Sequence, residues 1–131
     1  WVSMSSGTHQ IYFRHWAKML NAPVFSIDYV LAPKSKYPGQ LNDVWQAYNF
    51  IIDNMEDTFG FTPKNILLAG DSAGGNLALA LTLLCLKSGV RPPTGLLLGY
   101  PALNLDTKNY SPSYLKAVND EVVPFSFLEM C

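Results

Sequence analysis

A serine with a glycine two positions to either side, in Gly70-Asp71-Ser72-Ala73-Gly74, is the residue of this chain best suited to chemistry. At a sharp turn from strand into helix such a serine holds its hydroxyl clear of the sheet edge, and small neighbours avoid a clash. Gly70, Asp71, Gly74 and Gly75 would form that elbow, with Gly70 and Gly74 giving the room. The chemistry is nucleophilic: the hydroxyl of Ser72 attacks a carbonyl and carries the acyl group covalently. Ala73 opens the following helix, where free N–H groups and the positive end of the dipole suit its amide to an oxyanion.

A glycine-rich turn between strand and helix also serves phosphate binding, but the spacing speaks against it here. A P-loop needs Lys followed by Ser or Thr after its last glycine, whereas Gly75 is followed by Asn76. In a dinucleotide fingerprint the second glycine would fall on Ser72.

The elements that must position Ser72 follow from hydrophobic period. Residues 23–27, 65–69 and 95–98 are short apolar runs that read as buried strands. Between the first two, 37–54 repeats Leu41, Val44, Trp45, Tyr48, Ile51 and Ile52 at helical spacing. Residues 73–87 are apolar nearly all round, as in a helix packed deep against a sheet, and Ser88-Gly89 ends it. Residues 9–20 carry Ile11, Tyr12, Trp16, Met19 and Leu20, with Thr8 as N-cap. Strands alternating with helices predict an α/β three-layer sandwich with a mainly parallel sheet and right-handed crossovers. Late in the chain, 113–117 and 125–130 read as short helical pieces.

Composition agrees with a packed core: of 131 residues, 49% are hydrophobic and 15% charged. A net charge of -1 with scattered Lys and Arg argues against nucleic acid as partner. Cys85 and Cys131 form no disulfide framework and no metal-ligand spacing, which favours a reducing compartment and no metal. The longest apolar stretch, 77–86, falls short of the roughly 18 residues that span a bilayer, so no transmembrane segment is expected. The chain starts at Trp1 without Met and stops at Cys131 inside an apolar run, so both ends read as cut.

The elbow and two further motifs carry a resemblance. Gly70 to Leu77, Asp28-Tyr29-Val30-Leu31-Ala32-Pro33 and Trp1-Val2-Ser3-Met4-Ser5-Ser6 resemble segments of the hormone-sensitive lipase family of α/β-hydrolase carboxylester hydrolases. Within it the resemblance runs to the animal-type branch, through Met4-Ser5-Ser6, Gly89-Val90-Arg91-Pro92-Pro93 and Val123-Pro124-Phe125-Ser126-Phe127-Leu128. Val30 stands where that family usually has Arg and Lys34 where it has Glu, so an ion pair between those positions is absent. The resemblance implies that 1–131 is part of one catalytic domain, with a cap or regulatory insertion beginning near 112. It implies that the His-Gly-Gly-Gly loop lies before Trp1, and that the triad acid and histidine lie after Cys131. Only Ser72 and Ala73 carry over as catalytic positions.

Other polar residues have plainer readings. His9 and His15 precede Ser72, whereas triads on this fold run Ser, acid, His along the chain; both read as helix-surface or capping residues. Asp106 follows the third strand, yet Asn104-Leu105-Asp106 has the composition of a turn. Asp120 lies earlier than the family's acid. Asp71 reads as a residue whose hydrogen bonds hold the elbow. Asp28 and Tyr29 are candidates for pocket lining at the sheet edge, with packing as the plainer duty. Asp43 should favour the start of its helix.

The expectation is ester hydrolysis through an acyl-enzyme, with no cofactor. By resemblance the substrates are lipid or other carboxylic esters, met by a cytoplasmic enzyme at a lipid surface such as a droplet. The 131 residues alone would turn over very slowly, and a truncated, inactive isoform is a rival reading of the polypeptide. A ligand-binding protein on the same fold, like the gibberellin receptors, is the alternative.

Overall fold

In the computed structural model, which describes residues 1–106, the elements follow in the order helix, helix, strand, helix, strand. They are α1 (Ser6–Leu20), α2 (Gly39–Phe59), β1 (Leu67–Asp71), α3 (Ala73–Ser88) and β2 (Gly95–Gly99). The α/β class and the parallel pairing are as predicted, with Leu67 opposite Gly95 and Asp71 opposite Gly99. The segment 113–117, the segment 125–130, Asp120 and the insertion expected from 112 lie outside the described residues.

Side-chain period dictates which faces meet. On β1 the even residues point to one face and the odd to the other. Leu68 packs into a core built on Tyr48 of α2 and Leu81 and Cys85 of α3, joined by Leu41, Trp45, Ile52, Ile66 and Val90. α3 covers that face. On the other, Leu67 and Leu97 are 69% and 60% exposed. α3 is also less deeply packed than its composition predicts: Leu77, Ala78, Leu81 and Cys85 are buried, but Leu83 and Leu86 stand outward.

The two strand-entry loops are tied together at the other end of the sheet. Arg91 Nη2 donates to the carbonyls of Pro63 (2.8 Å) and Lys64 (2.7 Å), and the Tyr48 hydroxyl donates to Arg91 O at 2.9 Å. Thr94 N–H donates to Ile66 O at 2.7 Å, so pairing begins just before β1. Both α2 and α3 stop at a glycine in the left-handed region, Gly60 (φ 73) and Gly89 (φ 70), as a residue without Cβ allows.

The strand predicted at 23–27 is not observed. A strand exists through its neighbour's backbone, and among the described residues no strand lies beside this segment. Val24, Phe25, Ser26 and Ile27 instead share a groove with α2, and Phe25 meets Phe59 edge-on at 5.2 Å. α1 also starts earlier than predicted, with Ser5 rather than Thr8 at its N-cap. The Thr8 hydroxyl donates to Ser5 O at 2.6 Å, and the helix end is held from afar by Asp28. Its carboxylate accepts the Ser6 N–H at 2.6 Å and the Ser6 hydroxyl at 2.7 Å.

By its contacts the chain divides into Trp1–Pro101 and Ala102–Cys131. In the described part of the second unit, Asp106 N–H donates to Asn104 Oδ1 at 3.1 Å, the turn predicted there. No helix of the described residues is long and apolar enough to cross a membrane.

Candidate active site

Ser72 sits between the last residue of β1 and the first of α3, where it is the N-cap of that helix. Its backbone lies at φ 48 and ψ -111, a region that L residues rarely occupy, and the residue is exposed. Such strain of order 1–3 kcal/mol persists only where surroundings over-determine it. Two bonds do so: Ser72 N–H donates to Gly99 O at 2.9 Å, and Ser72 O accepts from Asn76 N–H at 3.1 Å. As the first helical residue, Ala73 has an N–H with no intrahelical acceptor, beside the serine and at the positive end of the dipole.

The steric need for glycine falls on Gly70 and Gly75. A Cβ at Gly70 would run into the backbone of Gly74, and one at Gly75 would lie 2.8 Å from Pro101 Cβ and 3.1 Å from Gly70 O. A Cβ at Gly74 meets nothing within 4 Å, so the room predicted to depend on Gly74 depends on Gly75 instead. The cause is the close crossing of α3 over the end of β1, which the spacing of glycines around a serine does not reveal.

Asp71 is held from two sides. The Tyr100 hydroxyl donates to its Oδ2 at 3.2 Å, and His9 Nε2 stands 3.7 Å from its Oδ1. Asp71 is the residue expected to hold the elbow, and its neighbours here come from the end of β2 and from α1. His9 departs from the surface reading: its side chain is only 20% exposed and belongs to the elbow's surroundings. Chain order spoke to its use as a proton acceptor but not to its position, and no local signal joins residues 9 and 71. Tyr100 was not singled out in the sequence. His15 is exposed, as predicted.

The carboxylate's field reaches further. The Tyr100 phenol is raised above its ordinary pKa by the charge of Asp71 and then by the bond to it. Tyr29 is raised by burial first and by Asp71 second. Tyr12 is raised by burial, then by Asp71 and Tyr100. The His9 ring stacks on Phe13 and meets Tyr12 edge-on, and Tyr12, Phe13 and Trp16 meet one another edge-on or tilted, so α1 has an aromatic face without a buried residue.

Asp28 and Tyr29 line a concavity with Val30, Leu31, Lys34 and Asp43, and Ser72 is not among its lining residues. Asp28 is engaged with Ser6, whose hydroxyl and then N–H hold its carboxyl below the usual range. Asp43 does not serve its own helix start as predicted. Its Oδ2 accepts the Val30 N–H at 2.8 Å, tying α2 to the loop. Among the described residues no cluster of three His, Cys, Asp or Glu is arranged to hold a metal.

A family model described as alpha/beta hydrolase fold matches residues 1–130. The chain is 40% identical over 130 residues to hormone-sensitive lipase of Mus musculus, covering 99% of this chain and 17% of that protein. Among solved structures it resembles carboxyl esterase 2 from Tuber melanosporum with a TM-score of 0.88 and 26% identity, over 98% of this chain and 42% of that one. It resembles a hyperthermophilic esterase from Pyrobaculum calidifontis with a TM-score of 0.87 and 33% identity, over 96% and 40%. The chain thus spans about a sixth of the length of the mouse relative.

Proposed function

This chain belongs to the α/β-hydrolase fold family, and from that premise we propose that its full-length protein is a serine carboxylester hydrolase acting on lipid esters. Ser72 Oγ attacks the ester carbonyl, the Ala73 N–H steadies the oxyanion, the alcohol leaves, and water releases the acyl group from Ser72. The observation that carries the reading is the strained, exposed backbone of Ser72 at the joint of β1 and α3. Phosphate binding has no comparable need for a serine in that conformation.

His9 is not the proton acceptor in this scheme. One ring nitrogen lies 3.0 Å from the Thr8 hydroxyl and the other faces Asp71. The acceptor is a histidine elsewhere in the full-length protein, oriented by a triad acid. Residues 1–131 make up part of one catalytic domain, and residues from about 112 begin a cap or regulatory insertion.

Lipid esters are favoured as substrates by the likeness to a protein named a lipase, and the esterase names of the structural relatives favour hydrolysis over the ligand-binding alternative. We further propose that the protein works in the cytoplasm and meets its substrate at a lipid surface, that of a droplet included.

The test is Ser72→Ala in the full-length protein, assayed on a nitrophenyl ester and on an acylglycerol emulsion. Activity is expected to vanish, and a fluorophosphonate should label the parent at Ser72 and leave the variant unmodified. An unchanged rate in the variant removes Ser72 from the reaction. Recovery of the protein from a flotation gradient without the lipid fraction would remove the lipid-surface assignment.

A further inference from the structure

The elbow is strained, and strain of this kind needs fixed neighbours. One neighbour is the β2 backbone, through Gly99 O. The other acts on Asp71, the residue immediately before Ser72, whose two carboxylate oxygens are addressed by two different segments. Tyr100 follows β2 directly and has φ 32, itself a costly backbone for a tyrosine. The residue is 78% exposed, and its hydroxyl donates to Asp71 Oδ2 at 3.2 Å, a tie back to the elbow.

On the opposite side, the hydroxyl proton of Thr8 goes to Ser5 O at 2.6 Å, which leaves only lone pairs on Thr8 Oγ1 for the ring of His9. His9 Nδ1 at 3.0 Å is therefore a donor, and in the protonated ring Nε2 is a second one, turned to Asp71 Oδ1 at 3.7 Å as an ion pair. The relay from Ser5 through Thr8 fixes the ring orientation from within the first turn of α1. That turn is in turn anchored by Asp28 on Ser6.

We propose that His9 and Tyr100 clamp the Asp71 carboxylate from α1 and from the end of β2, and that this clamp positions the Ser72 hydroxyl for attack. Both are positioning residues, acting through Asp71 rather than on substrate. The inference rests on the reading of Ser72 as nucleophile. It adds that the aim of the hydroxyl is set by α1, an element that reaches the elbow through side chains rather than through the sheet. A rigid elbow matters because a small misplacement of an attacking atom lowers the rate of the chemical step more than it lowers binding.

The experiment uses the full-length protein. His9→Leu is expected to lower kcat about tenfold with KM held within about twofold, and to slow fluorophosphonate labelling of Ser72 by a like factor. His9→Gln keeps an amide donor towards Asp71 and is expected to recover most of that rate. Ser72→Ala is the control for the underlying reading: residual esterase there removes the nucleophile itself. With that control inactive, an unchanged kcat and labelling rate in His9→Leu, an effect confined to KM, or no recovery in His9→Gln overturns the clamp. If His9→Leu does not fold, Tyr100→Phe decides, since it deletes one exposed oxygen. There a kcat lower by about threefold supports the clamp and an unchanged kcat overturns it.

Discussion

Ser72 and Gly99 are joined backbone to backbone, the serine N–H donating to the glycine carbonyl at 2.9 Å, so the first peptide after β1 is fixed by the end of β2. The turn is therefore part of the sheet's hydrogen bonding even though its φ of 48 leaves the strand conformation.

Replacing Ser72 by glycine should separate stability from activity. Glycine occupies this region without steric penalty, so Ser72→Gly is expected to raise unfolding stability by about 1 kcal/mol while abolishing ester hydrolysis. Urea unfolding of the full-length protein measures the first and a nitrophenyl ester the second. A variant less stable than the parent would mean that the serine side chain stabilises the elbow.

Neighbouring glycines should respond in opposite ways. Gly70→Ala and Gly75→Ala place a methyl against backbone and against Pro101, and each is expected to cost about 3 kcal/mol. Gly74→Ala points into open space within α3 and should be neutral or stabilising by about 0.5 kcal/mol. Thermal melts of the three variants give the order directly.

The expected effect of Asp28→Asn is modest and depends on pH. The carboxyl is held below its usual range by Ser6, so its contribution is present above the unfolded value of about 4 and is lost as pH falls through the folded value. At neutral pH the exposed variant should lose about 0.5 kcal/mol, a cap weakened by solvent screening. At about pH 3 the difference from the parent should narrow, as paired urea melts would record.

Tyr48 titrates at the other extreme. Burial, then the neighbouring Cys85, push its phenol up to about 12, with Arg91 opposing. In the unfolded chain a tyrosine ionises near about 10, so its contribution is complete below that pH and is lost as pH rises towards 12. Tyr48→Phe leaves Arg91 O without its donor and should cost about 1 kcal/mol at neutral pH. The gap between parent and variant should close in alkaline melts.

What could be read from the sequence is local. The step from 65–69 through Ser72 into a helix ending at Gly89 is a run of contiguous signals, and the helix runs from Ala73 to Ser88. The strand at 95–98 and its parallel pairing followed from alternation. What failed depends on residues far apart in the chain. A strand at 23–27 needs a neighbour, the cap of α1 comes from 22 residues away, and Asp43 reaches a loop rather than its own helix. The same limit hid His9, which a linear reading puts on a helix surface and the fold puts beside Asp71.

Cys85 has no exposed surface and lies where Tyr48 of α2 meets Leu81 of α3, and burial also raises its thiol pKa. A maleimide cannot reach that sulfur while the two helices are in contact. Timed alkylation followed by peptide mapping at Cys85 would therefore act as a clock for the parting of α2 from α3, independent of any catalytic assay.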